Sequence, residues 1–365
     1  MIVKEATALI EELAPPEYAE DFDNIGLLVG RPEMEVSGIL VALDALESVV
    51  DEAVDKQYNL IISFHPILFQ GLRKLTGATY VERAVMKAIR QDIAIYAIHT
   101  ALDNAWEGVN AKIAEVLGLH NRSVLIPKAG VLRKLTTYVP VADAPGLKEA
   151  LFAAGAGQIG NYSHCSFSVE GSGSFKAGEG AKPARGEKGE IHYEPEAQLH
   201  LVYPEDREKA VLKALLDHHP YEEVAREITT LNNTHPYLGM GMLGSLEAPM
   251  AENDFLAYVR ERMETKVIRH SSLLGKQIVK VAVLGGSGAF AIGPAKAAGA
   301  DVLITSDLKY HQFFEAGGQI VLMDIGHFES EQFTKKLLLD HLTKKIPNFA
   351  ISLSETITNP VKYYY

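Results

Sequence analysis

Three histidines stand where a fold can deliver side chains to a site. Each follows an apolar run that is typical of a buried strand: His65, His99 and His327. Two of them are followed four residues later by a carboxylate, Asp103 after His99 and Glu331 after His327. If a helical turn follows the strand, a spacing of four places both side chains on one face.

These residue types favour metal chemistry. Imidazole and carboxylate ligands together suit a first-row divalent ion such as zinc, manganese or iron. Sets that include a bridging carboxylate also suit paired ions that activate a water. Each motif alone is also typical of a packed histidine or of an ordinary helix start. Three such strand ends meeting at one edge of a sheet predict a metal site.

Two distant stretches would position these residues, and they share one plan. Residues 38–66 and 278–311 each read as an apolar strand, a short helix and a second apolar strand. Continuous apolar strands indicate parallel pairing with both faces buried. We interpret the two copies as pseudo-symmetric α/β lobes. Ligands of such sheets lie beyond the carboxyl ends of the strands, where His65 and Asp307 stand.

The region between the two copies follows a different plan. From about residue 133 to 245 the pattern predicts the order βαββαβ of a ferredoxin-like fold. A surface loop tolerates an insertion of this kind. The predicted fold class is therefore α/β. Two lobes form one split domain of residues 1–130 and 246–365, and this domain holds an inserted α+β domain of residues 131–245.

Two glycine-rich segments leave their interpretation open. Residues 178–190, in the loop between predicted strands at 161–171 and 197–204, favour a mobile hairpin tip over a phosphate-binding loop. The strand-loop-helix context of a phosphate loop is missing there. GGSGA (285–289) follows a strand and opens a helix, so it is either an anion-binding turn or simply a tight turn.

The composition argues against several classes of protein. The net charge of -12 over 365 residues disfavours broad nucleic-acid binding, so we expect no nucleic-acid partner. No apolar run approaches the roughly 18–20 residues that cross a bilayer, so we expect no membrane partner. Acidic residues interrupt the apolar N-terminal stretch, which is not typical of a signal peptide. The one cysteine, Cys165, excludes an intramolecular disulfide and favours a reducing compartment, which we interpret as the cytoplasm.

Several motifs together resemble a known family, the GTP cyclohydrolase 1 type 2 homologues, also called Ngg-interacting-factor-like proteins. The motifs occur in the family's order: DFDNIGLLVG (21–30), SFHP (63–66), IHTALDNA (98–105), ITSDLKYH (304–311) and GHFESE (326–331). The inserted region, with PYEEVAREI (220–228), resembles the extra domain of the longer bacterial members, which is similar to the PII/CutA-type fold. The resemblance implies a two-metal centre between the lobes and a ring-like homo-oligomer, commonly a hexamer.

The resemblance also assigns roles to particular residues. The family's metal ligands fall on His65, Asp103, His327 and Glu331. Glu331 is implied to bridge both ions, and His99 lies beside them as a ligand or as a base that moves protons. The first histidine of the family's His-His pair is Phe64 here, which the resemblance implies leaves one ion with only His327 and the bridging Glu331. We therefore predict one tightly held and one weakly held divalent ion per chain, zinc before manganese or iron.

Two functions fit these predictions. The first is a metal-dependent hydrolase, of cyclohydrolase or phosphoesterase type, that acts on a small phosphorylated or nucleotide-like molecule through a metal-activated water. In that case His99 acts as the catalytic base. The alternative is a non-enzymatic metal-binding regulator, metal-insertion helper or scaffold whose PII-like insert senses a small-molecule effector.

Overall fold

The computed structural model describes residues 1–364 and divides into two compact units. The first unit joins Met1–Pro127 to the chain from Tyr237 onward, and the second is Lys128–Pro236. The boundaries predicted for the insert lie slightly further along the chain. No helix among the described residues is long and apolar enough to span a bilayer.

The helices are short and the strands are mostly brief and buried. The helices are α1 Val3–Glu11, α2 Glu47–Asp55, α3 Tyr80–Arg90, α4 His99–Asn104, α5 Val109–Val116, α6 Ala144–Ala153, α7 Glu208–His218, α8 Glu252–Arg262, α9 Ile292–Ala297, α10 His327–Glu331 and α11 Thr334–Lys345. The strands are β1 Gly26–Val29, β2 Ile39–Ala42, β3 Leu60–Ser63, β4 Ala94–Ala97, β5 His120–Ala129, β6 Leu132–Pro140, β7 Phe167–Lys176, β8 Ile191–Pro204, β9 Arg226–Leu231, β10 Thr234–Ala251, β11 Arg269–His270, β12 Gln277–Ser287, β13 Val302–Ser306, β14 Val321–Asp324 and β15 Ile351–Leu353. Turns of 3₁₀ helix occupy Pro16–Tyr18, Glu205–Arg207, Ala289–Ala291 and Tyr310–Ala316.

The first unit contains two sheets. One has the order β1-β4-β3-β2-β15, with β4, β3, β2 and β15 parallel and β1 antiparallel to β4. The other has the order β11-β14-β13-β12-β10-β5, with β14, β13 and β12 parallel and both β11 and β10 antiparallel to their neighbours. The parallel pairing predicted for residues 38–66 and 278–311 is confirmed by the β2–β3 and β12–β13 ladders.

Helices cover the central parallel strands on both faces, which is why β2, β3, β4, β13 and β14 are buried along their whole length. In β3, Leu60 and Ile62 belong to a core shared by both sheets, together with residues of α1, α5, α8 and α11. Ile61 belongs instead to a separate core with α2 and α3. The second sheet alternates in the same way, since Val283 joins the shared core and Ala282 packs towards α9. Side chains alternate between faces along a strand, so a continuous apolar run feeds two cores at once.

The second unit is built on one antiparallel sheet. Its strand order is β7-β8-β6-β9, with α6 following β6 and α7 following β8. Leu135 and Val139 of β6 and Leu199 and Leu201 of β8 pack with the apolar faces of α6 and α7. The helices therefore cover one face of the sheet, and the even-numbered residues of β6 and β8 face the other way.

Two predicted strand limits in this unit are wrong. The predicted strand at 161–171 begins only at Phe167 and runs on to Lys176, and its partner begins at Ile191 rather than at residue 197. The reason is the long antiparallel ladder from Phe167 opposite His200 to Lys176 opposite Ile191. Glycine- and serine-rich residues that the sequence predicted as loop therefore belong to strands in this ladder.

Candidate metal centre

Three strands of the first unit end close to one another and deliver the three histidines. His65 follows β3 and His99 follows β4 in the five-stranded sheet, while His327 follows β14 in the six-stranded sheet. The ring centroids of His65 and His327 are 5.4 Å apart, and those of His65 and His99 are 5.5 Å apart. The prediction that all three strand ends meet at one edge of a single sheet is therefore wrong. They meet because two sheets face each other across a shared core.

One carboxylate oxygen lies between two of the imidazoles. Glu331 Oε2 is 3.1 Å from His65 Nε2 and 3.2 Å from His327 Nε2. This oxygen is buried, yet within residues 1–364 it has no hydrogen-bond partner of good geometry. A buried carboxylate oxygen without such a partner is costly unless something else satisfies it. His65, His327 and Glu331, the converging group, could together hold a metal ion.

Two further carboxylates fix the orientation of these imidazoles. His65 Nδ1 lies 2.8 Å from Asp44 Oδ1, and His327 Nδ1 lies 2.6 Å from Asp307 Oδ2. An ionised carboxylate only accepts hydrogen bonds, so each Nδ1 must donate its proton to it. That arrangement points the Nε2 lone pair of the neutral imidazole towards Glu331. Carboxylate–histidine pairs of this kind are the usual support of metal-binding histidines.

The same carboxylates set the protonation of the converging group. Burial alone would lower the pKa of His65, but its contacts with Asp44 and Glu331 outweigh burial and raise that pKa to about 10. For His327, Glu331 and Asp307 overcome burial and raise the pKa to about 9. Burial favours neutral Glu331, but the two imidazoles lower its pKa to about 2. In the absence of an ion, protons on the imidazoles therefore balance the buried carboxylate.

The third histidine belongs to a neighbouring set, the His99 side, formed by His99, Asp103 and Asp23. His99 Nδ1 lies 2.8 Å from Asp23 Oδ1, and the other oxygen of Asp23 accepts hydrogen bonds from Thr100. Asp103 stands four residues after His99 on α4. Its Oδ1 is buried and makes no hydrogen bond to any described residue. Burial first, and then the charge of Glu331, raise the pKa of Asp103 well above its usual range.

The donor atoms of the His99 side do not converge as those of the first group do. Among the described residues, the ligand atoms of His65, His327 and Glu331 form a tight cluster. Neither His99 nor Asp103 contributes a ligand atom to it. Phe64 occupies the space beside both imidazoles. It is fully buried, and its ring centroid is 4.9 Å from that of His65 and 5.6 Å from that of His99. An apolar ring therefore stands next to both histidines and offers no ligand atom.

Two residues of this site have a strained backbone. His99 and Asp307 both have positive φ, 30° and 58° respectively, which non-glycine residues rarely adopt. Such strain persists where the surrounding structure imposes it, and it is frequent at functional sites. Gly286, with φ of 70°, has a different reason for its identity. A Cβ there would lie 2.5 Å from Glu331 Oε1, so only glycine leaves room for the buried carboxylate.

The glycine-rich turn at 285–289 is used for support within the chain. The amide of Gly285 donates to Asn110 Oδ1 and that of Gly286 donates to Ser330 Oγ, each at 3.0 Å. These two amides are therefore taken and cannot cradle a substrate anion. Of the two interpretations left open by the sequence, the tight turn fits these hydrogen bonds.

An open cavity of about 400 Å³ borders the converging group. His65, His327, Asp44 and Asp307 line it together with Arg269 and the C-terminal residues Asn359 and Tyr363. Arg269 is already paired with Asp324 at 3.0 Å. The hydroxyl of Thr358 donates to the second oxygen of Asp44, which ties the C-terminal segment to the support of His65.

Some of these residues had weak signals in the sequence and others had none. Asp44 follows β2 at the same sheet edge as His65, so the strand-end rule that found the histidines would also have found it. Asp307 was noticed at a strand end but received no role. Asp23 lies in a loop before β1 and Thr358 lies beyond the last strand, and local patterning singles out neither.

Comparisons with known proteins agree with this architecture. The sequence model of the Duf34/NIF3 (NGG1p interacting factor 3) family matches residues 1–360. A Bacillus subtilis protein named GTP cyclohydrolase 1 type 2 homolog is 38% identical over 97% of this chain and 96% of its own length. A Staphylococcus epidermidis protein of the same name is 33% identical over the whole of both chains.

Solved structures are similar over the same extent. A Bacillus cereus protein related to NIF3 matches with a TM-score of 0.85 and 37% identity, covering 100% of this chain and 99% of that one. A Staphylococcus aureus protein matches with a TM-score of 0.78 and 29% identity over the same shares. Because the family match extends over nearly the entire sequence, the chain belongs to the DUF34/NIF3 family.

Proposed function

We propose that this chain is a metal-dependent hydrolase that acts on a small phosphorylated or nucleotide-like substrate. The observation that carries the proposal is the buried Oε2 of Glu331, which lies between two imidazole nitrogens and has no good hydrogen-bond partner in the described chain. Two imidazoles and a carboxylate are the donor set of catalytic zinc sites that keep a position open for water or substrate. The donor chemistry therefore fits a divalent ion, which would replace the protons that the two imidazoles otherwise hold against the buried carboxylate.

In this proposal each residue has a separate task. His65, His327 and Glu331 hold the tight ion, and Asp44 and Asp307 orient the two imidazoles through their Nδ1 atoms. When bound, the ion supplies Lewis-acid polarisation and activates a water near neutral pH. Asp23 holds the Nδ1 proton of His99, which leaves His99 Nε2 to accept and return a proton.

We propose a second, weaker ion on the His99 side, with Asp103 as a ligand and Glu331 shared with the first ion. The expectation that the weaker ion keeps only His327 and Glu331 fits less well, because the ligand atoms of His327 converge with those of His65 and Glu331. Support comes from the unpartnered Asp103 Oδ1 and from the electrostatic coupling of Asp103 to Glu331. Phe64 is the reason for the weaker binding, since it offers no donor beside His99. Zinc is the first candidate because the set combines imidazole with carboxylate, and manganese or iron is the alternative.

The charge of the cavity bears on the substrate class. Asp44, Asp307, Asp324 and Glu329 line it, whereas the cations Arg269, His65 and His327 are already paired with carboxylates. An anionic substrate would be repelled unless bound cations offset these carboxylates. We therefore expect phosphorylated substrates to bind only to the metal-loaded protein.

We also propose a ferredoxin-like inserted domain, two pseudo-symmetric lobes, a homohexamer and a cytoplasmic location. In the second unit the strand order and the positions of α6 and α7 support a ferredoxin-like inserted domain of the PII/CutA kind. The two parallel ladders support pseudo-symmetric lobes in the split domain. The resemblance supports a homohexameric ring, and the single cysteine supports the cytoplasm.

The alternative is a non-enzymatic metal-binding regulator, metal-insertion helper or scaffold. It uses the same converging group but needs no substrate beside the ion. One observation favours it: a largely apolar cavity in the second unit, whose lining includes none of the candidate ligands.

The test is turnover by metal-loaded protein. Chelator-treated protein is reloaded with zinc, manganese or iron and assayed against a panel of nucleotides and phosphoesters. We expect metal-dependent hydrolysis of at least one compound, lost in His327→Ala and kept in His120→Ala, a matched control at an exposed histidine. Circular dichroism checks that both variants fold. Absence of turnover with every metal and compound would contradict the hydrolase and favour the regulator.

A further inference from the structure

The second unit has a cavity of its own. It has a volume of about 430 Å³, and Tyr138, Phe175 and Tyr221 line it with Pro183 and several alanines. Its size and apolar lining are those of small-molecule sites, which are commonly about 300–1,000 Å³. The rings of Phe175 and Tyr221 are 5.9 Å apart in an edge-to-face arrangement. Nothing in the proposed hydrolase uses this cavity.

The cavity lies on the sheet face that the helices leave open. Leu199 and Leu201 of β8 pack on the helices, so Glu196 of the same strand projects from the opposite face. Tyr138 of β6 does the same, since its neighbour Val139 packs towards the helices. The segment after β7 covers this face, because Ala181 and Pro183 also line the cavity.

Ion pairs hold that covering segment in place. Arg185 contacts Glu194 at 2.7 Å and Asp143 at 2.9 Å, and the amide of Lys182 donates to Glu222 at 2.7 Å. The walls of the cavity are thus tied to the sheet at both sides. The same contacts pair the guanidinium of Arg185 with two carboxylates.

Glu196, Glu222 and Glu223 line the cavity and give it a negative charge, and Glu196 is the one hydrogen-bonded to an aromatic residue of the lining, Tyr221. Glu196 Oε1 accepts a hydrogen bond from the Tyr221 hydroxyl at 2.8 Å. Its Oε2 lies against Gly173, where a Cβ would approach to 2.0 Å, so the glycine leaves room for the carboxylate. Across residues 1–364 no lysine, arginine or histidine lines the cavity or forms an ion pair with Glu196. A carboxylate beside aromatic rings, without a cation of its own, complements a positively charged ligand.

We propose that this cavity binds a small organic cation, an amine or amidinium carried on an aromatic or apolar body. The body packs between Tyr138, Phe175 and Pro183, and the cationic group pairs with Glu196. The Tyr221 hydroxyl fixes the carboxylate in position. This site is independent of the metal centre and of the hydrolase, so either proposal can fail alone.

The experiment titrates the full-length, metal-loaded protein with matched probes by calorimetry. The cations are 2-phenylethylamine and benzamidine, the neutral analogue is 2-phenylethanol, and the anion is phenylacetate. We expect saturable binding of the cations, at least about tenfold weaker binding of the alcohol, and none of the anion, because a charged pair is worth more than a neutral contact.

Three variants locate the binding. Glu196→Gln keeps the size and the acceptor for Tyr221 and should weaken cation binding about tenfold or more. Glu170→Gln removes an equal charge from an exposed position on the same sheet and should change nothing. Ala181→Trp fills the cavity from the covering segment and should abolish binding while leaving the melting temperature close to wild type.

Several binding results would overturn the proposal. These are equal binding of amine and alcohol, equal binding by Glu196→Gln and wild type, or absence of saturable cation binding at millimolar concentrations. Equal losses in Glu196→Gln and Glu170→Gln would also overturn it, because they would indicate a general charge effect.

Discussion

The converging group and the His99 side have similar carboxylate–imidazole contacts but differ in how many ligand atoms lie together. Each has an imidazole whose Nδ1 is held by a carboxylate, Asp44 for His65 and Asp23 for His99. Each also has a buried carboxylate oxygen without a hydrogen-bond partner among the described residues, on Glu331 and on Asp103. Only the first group has a second imidazole, and only there do three ligand atoms lie together.

Phe64 accounts for much of this difference. Its ring lies beside the imidazoles of both sides, at the position where the resemblance to the family implies another histidine. An apolar ring adds packing and excludes water but offers no ligand atom. The support of a metal site can thus be present while its ligand set is incomplete. The two sides should therefore differ in affinity for an ion.

The largest effect we expect is that of pH on the tight ion. The pKa values of His65 and His327 are raised to about 10 and about 9, so protons compete with an ion at both Nε2 atoms. Binding should release about two protons near neutrality, and the apparent affinity should rise about a hundredfold per pH unit until about pH 9. Calorimetry in buffers of different ionisation enthalpy measures the proton release. Release of no protons would contradict the assigned donors.

The same pKa shifts make the stability of the metal-free, chelator-treated protein fall as the pH rises, whereas the affinity for the ion rises. A histidine pKa that is raised in the folded state stabilises it fully below the unfolded value of about 6.5. This contribution is lost as the pH rises through about 9 to 10. Chemical denaturation of chelated protein should therefore give a lower free energy of unfolding at pH 10 than at pH 6.5.

Removing the shared carboxylate is the next largest change. Glu331→Gln keeps the size of the side chain but removes the charge that both imidazoles face. We expect affinity for the tight ion to fall by more than the roughly 10–100-fold cost of losing an outer partner. Glu329→Gln, on the same helix α10 but outside the converging group, is the control. Competition with a chelator of known affinity measures both, and equal affinities would remove Glu331 from the ligand set.

Phe64→His tests the source of the difference directly. The new imidazole would lie beside His99, so the number of ions held after gel filtration should rise from about one towards two per chain. Phe64→Leu keeps an apolar side chain and should leave the number unchanged. Burying a polar ring in place of Phe64 should also lower the free energy of unfolding by about 1–3 kcal/mol before metal is added. Two tight ions in the wild type would contradict the comparison.

The sequence was informative about strand ends and uninformative about what faces them. Apolar runs before His65, His99 and His327 predicted β3, β4 and β14, because a strand buried on both faces must be apolar throughout. The repeated plan of residues 38–66 and 278–311 predicted two lobes, but the runs alone do not show that strand ends of both lobes meet at one site. That meeting depends on long-range packing against the shared core, which local patterns do not encode.

The carboxylates that contact the histidine Nδ1 atoms were also not predictable from local sequence patterns. Spacing of four located Asp103 and Glu331, since helical geometry is local. Asp23 reaches His99 across 76 positions of the sequence, and Asp44 reaches His65 across 21. A contact between residues that are distant in the sequence depends on the path of the loops, so it produces no periodic pattern in the sequence. Phe64 likewise read as one more strand residue until its position could be compared with the family pattern.

The smallest effect we expect comes from changing the carboxylates that orient His65 and His99, and it should differ between the two sides. Asp44→Asn removes the charge that orients His65, so the tight ion should bind about 10–100-fold more weakly. Asp23→Asn makes the matched change at His99 and should weaken only the second ion, because Asp23 does not contact the converging group. Zinc titrations that resolve both binding events compare the two variants. If Asp23→Asn weakened the tight ion as much as Asp44→Asn does, the two sides would act as one site and the role given to Phe64 would be wrong.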